Sequence, residues 1–185
     1  SIINYVDLLK RENIQDPKIQ GYLDILEAKA QRLKHLTEDV VEASKISSGN
    51  ITMEYMNINF VEMINQTTGE FTEKFEKRNL QIVLNVPEKP VMVRTDGRRM
   101  WRVIENIYNN AAKYALEGTR VYADLIEKEH TVEFSLKNIS EQPLNISADE
   151  LTERFIRGDV SRSTEGSGLG LSIAKNLTEL QGGKF

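Results

Sequence analysis

The stretch EGSGLGLSIAKNLTELQGG, Glu165 to Gly183, decides how this chain is read. Gly166, Gly168 and Gly170 alternate with Ser167 and Leu169. An apolar-periodic run then follows through Leu171, Ile173, Ala174, Leu177 and Leu180. That spacing predicts a helix closed by a C-cap at Gly182–Gly183. Glycines ahead of a helix let the backbone approach a ligand and aim amide N–H groups at it, and the positive end of the helix dipole favours an anion. The spacing is G-x-G-x-G, not the G-x-G-x-x-G of a dinucleotide site, and the preceding RGDVSRSTE lacks strand character. No lysine stands where a P-loop needs one, because Lys175 lies a turn inside the helix. Alone, the segment reads either as a phosphate cradle or as a flexible loop capping a helix.

The composition narrows the setting. The 185 residues suffice for one full domain and a smaller appendage. The net charge of −4 argues against non-specific nucleic-acid binding. No apolar run has the length of a membrane span and no signal peptide is visible, so no membrane contact is expected of these residues. The absence of cysteine removes disulfides and thiolate metal sites and is compatible with a reducing compartment. His35 and His130 lack metal-ligand spacing. SIINYVDLLK opens in the middle of an apolar pattern and GGKF closes like the approach to a strand, so the chain is read as a piece of a longer protein.

The first helix is expected to end near Lys10, where RENIQDPK breaks the pattern. A second is expected from about Lys18 to Ile46. Ile19, Leu26, Leu33 and Val40 recur every seven residues, as in a bundle seam. Such a hairpin is too small to bury both faces, which predicts pairing with a second copy as a four-helix bundle. After SSGN the pattern turns mixed. ITMEYMNI, LQIVLNV and VMVRT read as strands, and RVYADLIEKEHTVEFSLKNI as a hairpin. Helices are expected after Asn59 and Asp96 as N-caps, over ADELTERF, and last over the glycine segment, with the polar IRGDVSRSTEGSG as a loop. The fold class is therefore α+β, a mixed sheet with helices on one face.

WRVIENIYNNAAKYA carries a second constellation. Three asparagines, Asn106, Asn109 and Asn110, fall within five residues, each costing about half a kcal/mol against alanine in a helix. Asn106, Asn110, Lys113 and Tyr114 share one face. Two amide oxygens and an ammonium suit Mg²⁺, which takes one or two protein oxygens beside phosphate oxygens. The competing reading is a solvated helix face.

These segments together resemble sensor histidine kinases. Asn106-x-x-x-Asn110-x-x-Lys113-Tyr114 is similar to the N box, ERFIRGDVSRS with Phe155 to the F box, and GSGLGLSIAKNLTELQGG to the G2 box. SIINYVDLLK is similar to the segment after the phosphoacceptor histidine, and QRLKHLTEDVVEASK to the second dimerisation helix. The resemblance implies a partial dimerisation and histidine-phosphotransfer hairpin at residues 1–48. It implies a Bergerat-type catalytic ATP-binding domain at 49–185 that lacks its last strand. It further implies ATP with Mg²⁺ between the N-box helix and a lid. Nucleotide contacts fall to Asn106, Asn110, Lys113, Tyr114, Asn138, Phe155, Arg157, Arg162, Gly166, Ser167, Gly168, Leu169 and Gly170, and metal contacts to Asn110 and Asn106. The implied function is an ATP-dependent protein-histidine kinase in two-component phosphorelay. It would form a homodimer and act toward a response-regulator receiver domain, with these residues in the cytoplasm.

Two departures from that pattern qualify the resemblance. The phosphoacceptor falls before Ser1, so these residues alone are expected not to autophosphorylate. His35, between Leu33 and Leu36, reads as a residue flanking the bundle, and His130 as a solvated residue of a hairpin turn. In place of the G1-box Asp-x-Gly-x-Gly stands KNISEQPLN, with Asn138 for the aspartate and Ser140 for the first glycine. A neutral amide accepts a hydrogen bond from adenine more weakly than a carboxylate. A degenerate nucleotide-binding interaction module and an ATPase or serine kinase of the same fold remain the alternatives.

Overall fold

A computed structural model describes residues 2–12, 14, 16–143, 151–152 and 168–185. Helices α1 (Ile2–Arg11) and α2 (Pro17–Ser47) form the hairpin. Sequence alone placed Pro17 in the break. It is instead the first residue of α2, where its fixed φ suits the helix and its missing N–H costs nothing. Asp16 caps the turn by accepting from Lys18 N at 2.9 Å. Val6 and Leu23 are buried. Lys10 bridges to Asp24 at 2.7 Å and also to Glu27. Ile19, Leu26, Leu33 and Val40 are all exposed, so the seven-residue stripe faces outward. Gly49, with φ +68°, ends the hairpin in a conformation that glycine adopts without strain.

The second part contains strands β1 (Met56–Asn59), β2 (Gln81–Asn85), β3 (Met92–Thr95), β4 (Arg120–Glu127) and β5 (Val132–Asn138), with helices α3 (Phe60–Glu76), α4 (Gly97–Tyr114) and α5 (Gly170–Leu180). Strand β2 pairs parallel with β4, and β4 antiparallel with β5, which makes a mixed sheet of three. Strands β1 and β3 pair antiparallel, Met56 opposite Thr95, as a separate ribbon. The expected strand over 51–58 is shorter than its sequence pattern. Only its end pairs, because Ile51 and Met53 pack into an apolar cluster and Glu54 N donates to Asp96 Oδ2. Of ADELTERF, Leu151 and Thr152 are described, and both are helical.

Helices α3 and α4 cover one face of the three-stranded sheet. Val121, Ala123 and Leu125 alternate inward from β4 and meet Ile64, Phe71, Phe75, Ile104 and Tyr108. Tyr108 is fully buried and stacks on Phe134, with centroids 6.2 Å apart. Its hydroxyl has a partner in Thr68 Oγ1 at 2.7 Å. A second core lies behind α4, where Ala43 of α2 meets Val103, Leu169, Ile173, Ala174 and Leu177. The long hairpin helix therefore leans on α4 and α5. Among the described residues no helix is long and apolar enough to cross a membrane.

Candidate functional site

Helix α4 carries the site, and its start is fixed tightly. Asp96 Oδ1 accepts from Arg99 N and Oδ2 from Glu54 N, both at 3.0 Å. Burial pushes the Asp96 carboxyl up. The two backbone donors and the Arg99 charge outweigh it, and the net pKa lies below the ordinary carboxylate value. From behind, Gln181 Oε1 accepts from Thr95 Oγ1 at 2.5 Å and from Asp96 N at 2.9 Å.

Along α4 the polar stripe separates into two sets. Asn106 is 9 % exposed, and its Nδ2 is buried without a hydrogen-bond partner. A Cβ on Gly170 would stand 3.2 Å from Asn106 Oδ1. The N-terminus of α5 is thus set directly against this amide, and Gly168, at φ +72°, turns the chain into it. Asn110 is half-buried one turn on. Lys113 Nζ reaches Tyr114 Oη at 2.9 Å and lies 4.7 Å from the ring centroid. Asn109 belongs elsewhere, accepting from Lys74 Nζ of α3 at 2.6 Å. Of the three asparagines, only Asn106 and Asn110 are available to the site.

The far wall is the end of β5. Asn138 pairs with Val121, which places it on the helix-facing side of the sheet at its exposed edge. The chain then runs along the end of α4. Leu116 N donates to Ile139 O, Ala115 bridges Ser140, and Glu141 N donates to Tyr114 O. Asn106, Asn110, Lys113, Tyr114, Gly168, Leu169 and Gly170 thus come together on α4 and the start of α5, with Asn138 across from the end of α4. Phe155, Arg157, Arg162, Gly166 and Ser167 lie outside the described residues.

The donor set fits a nucleotide with a divalent cation. An orphaned amide faces a helix N-terminus, neutral oxygens can complement phosphate oxygens around a cation, and a lysine ends the stripe. Among the described residues no group of three or more His, Cys, Asp or Glu offers a competing metal cage.

Sequence reasoning missed a charged seam beside this site. Arg102, one turn before Asn106, donates to Asp39 Oδ1 at 2.5 Å and to Glu105 Oε2 at 2.8 Å, and Arg99 donates to Glu42 Oε1 at 2.8 Å. Burial works against the Arg102 charge, yet Glu105, Asp39 and Glu42 together raise its pKa. It also missed Arg78, whose Nη1 donates to the carbonyls of Ala112 and Lys113. Apart from the i,i+3 pair Arg102–Glu105, the partners are remote in sequence, so no local pattern marks them.

The fold is a mixed three-stranded sheet covered by helices and preceded by a helical hairpin. Residues 95–185 match the family described as "Histidine kinase-, DNA gyrase B-, and HSP90-like ATPase". The chain is 31 % identical over 186 residues to the sensor protein VanSC of Enterococcus gallinarum, covering 99 % of this chain and 51 % of that protein. Full-length ShkA in complex with AMPPNP superposes with a TM-score of 0.77 at 18 % identity, covering 98 % of this chain and 38 % of that one. Histidine kinase ThkA in complex with the response regulator protein TrrA superposes at 0.63 with 22 % identity, covering 98 % of this chain and 51 % of that one. Over residues 95–185 the chain carries a domain of that ATPase family, and it is similar to proteins named as sensor proteins and sensor histidine kinases. It spans about half or less of the length of the curated relatives it matches.

Proposed function

We propose that this chain is the ATP-binding catalytic part, with its adjoining hairpin, of an ATP-dependent protein-histidine kinase. It would present ATP to a histidine on a dimerisation helix for relay to a response-regulator aspartate. The domain boundary falls at 48/49, where the hairpin ends. The observation that carries the reading is the buried, unpartnered Asn106 amide held against the N-terminus of α5 at Gly170.

ATP, when bound, supplies the γ-phosphoryl group. Asn110 and Asn106 would hold Mg²⁺ through their amide oxygens. Lys113 offers its ammonium to the phosphates once it leaves Tyr114. The amides of Gly168, Leu169 and Gly170 would face the same charge, and by sequence motif Gly166 and Ser167 are assigned to it as well. Asn138 would accept from the base, and by sequence motif Phe155, Arg157 and Arg162 are assigned to the lid. Phosphoryl transfer needs positioning and charge more than proton transfer. An amide at Asn106 cannot take a proton from water, so the residues at hand disfavour hydrolysis. Neither histidine reads as the acceptor. His35 is exposed and lies 3.7 Å from Glu38, and His130 is exposed in a turn.

Calorimetric titration with ADP and Mg²⁺ tests this. Binding is expected, and Asn110→Ala is expected to remove its Mg²⁺-dependent part. No binding at millimolar ADP would reject the reading in favour of a degenerate interaction module. Acid-labile label on this chain alone would reject the assignment of the histidines.

A further inference from the structure

The segment after β5 lacks the glycines that the family pattern places there, and the structure supplies a substitute. Arg78 sits in the turn between α3 and β2. Asn79, at φ +51°, reverses the chain there and is held by Glu117 at 3.0 Å. From this turn the guanidinium reaches two elements at once. Nη1 donates to Ala112 O at 2.8 Å and to Lys113 O at 2.7 Å, the open carbonyls at the end of α4. Nη2 donates to Glu141 Oε2 at 3.1 Å, and Glu141 N returns a bond to Tyr114 O at 2.9 Å. A cation at a helix C-terminus also complements the negative end of its dipole. A planar fork, with donors spread over separate nitrogens, serves two carbonyls on one side and a carboxylate on the other. A lysine brings the charge without that geometry.

We infer that Arg78 is a positioning residue for nucleotide recognition. It sets the spacing between the end of α4, with Lys113 and Tyr114, and the segment that carries Asn138. This deepens the nucleotide-binding reading and rests on it. Asn110 and Asn106 lie one and two turns back along α4, with Asn106 set against Gly170, so Arg78 acts on the base side of the site. Of the groups assigned to the phosphates, Lys113 alone is bonded to Arg78, through its backbone carbonyl, and its side chain serves both nucleotides of the test alike. Asn138 Nδ2 donates to Ile139 O, which leaves its oxygen to accept from an exocyclic amino group, and a loosened edge lets the amide drift or turn over.

The test measures ADP and GDP affinities, each with Mg²⁺ and by competition, on the 185-residue chain and on Arg78→Gln, Arg78→Lys and Glu141→Gln. The two ligands share their phosphates and differ in the group facing Asn138. The ADP-to-GDP affinity ratio is expected to fall about tenfold in Arg78→Gln and two- to threefold in Glu141→Gln, with Arg78→Lys between them. A purely structural role would lower both affinities and the melting temperature and leave the ratio unchanged. An unchanged ratio, or a wild-type ratio near one, would overturn the inference while leaving nucleotide binding intact. Failure of the wild-type chain to bind ADP would reject the functional reading itself. Should Arg78→Gln not fold, Glu141→Gln decides, since it removes only an exposed ion pair.

Discussion

Gly170 stands so close to Asn106 that a methyl group on it would come within 3.2 Å of the amide oxygen. Gly170→Ala must therefore push that amide aside. Alanine also favours the first turn of α5, so folding stability is expected to hold or to rise by about 0.5 kcal/mol. Mg·ADP affinity is expected to fall about three- to tenfold. Thermal denaturation and calorimetry, run on the same sample, separate the two. Parallel losses would mean that the contact serves packing alone.

The seam between α2 and α4 gathers two arginines and three carboxylates, all with side chains less than a third exposed. Arg102→Ala leaves Asp39, Glu42 and Glu105 facing a single arginine. Removing one partner of a buried pair costs several kcal/mol, and partial solvent access reduces that here to about 2 kcal/mol. A urea titration reads the loss as a lowered midpoint. Hydrogen exchange should locate it in the second half of α2.

Asp96 makes the stability pH-dependent. Its folded pKa is depressed, so its contribution is complete above the unfolded carboxylate value, about 3.9, and is lost as pH falls through the folded value. Asp96→Asn keeps one acceptor for Arg99 N and turns an NH₂ toward Glu54 N. It is expected to cost about 1 kcal/mol at pH 7 and to flatten the acid limb of the stability curve. Melting temperatures of both proteins between pH 3 and 7 check this. An equally steep acid limb in the variant would exclude Asp96 as its source.

Leu26 and Leu33 lie on the outward stripe of the hairpin, 50 % and 55 % exposed. A second copy is the expected cover. If the chain self-associates at high concentration, Leu26→Glu with Leu33→Glu should make it monomeric by light scattering without lowering its melting temperature. A loss of folding would show that the stripe packs within one chain.

Much of this was legible from local signals. Asp96 as a cap, the apolar rows of α4 and the shared face of Asn106 and Asn110 depend on residues within a few positions of one another. What escaped depends on remote partners. Asn109 stands off the shared face in the sequence too, but its bond to Lys74, 35 residues earlier, is not readable there. Arg78 and Glu141 are 63 residues apart, as are Asp39 and Arg102. Ile51 and Met53 alternate like a strand, but an apolar cluster claims them before a neighbouring strand can. The site residues from 153 to 167 stay at the level of sequence motif.

The bond between Gln181 and Thr95 has a consequence for how the molecule assembles. It joins residues 86 apart, and closing so long a segment is entropically expensive until the apolar face of α5 docks against α4. The hairpins and the α3–β2 turn are local closures, whereas the seating of α5 is long-range and is expected to come last. The recognition face is thus finished by the slowest closure. A chain caught just before that step would hold its sheet, α3 and α4 together, yet have no glycine against Asn106 and nothing for an anion to dock upon.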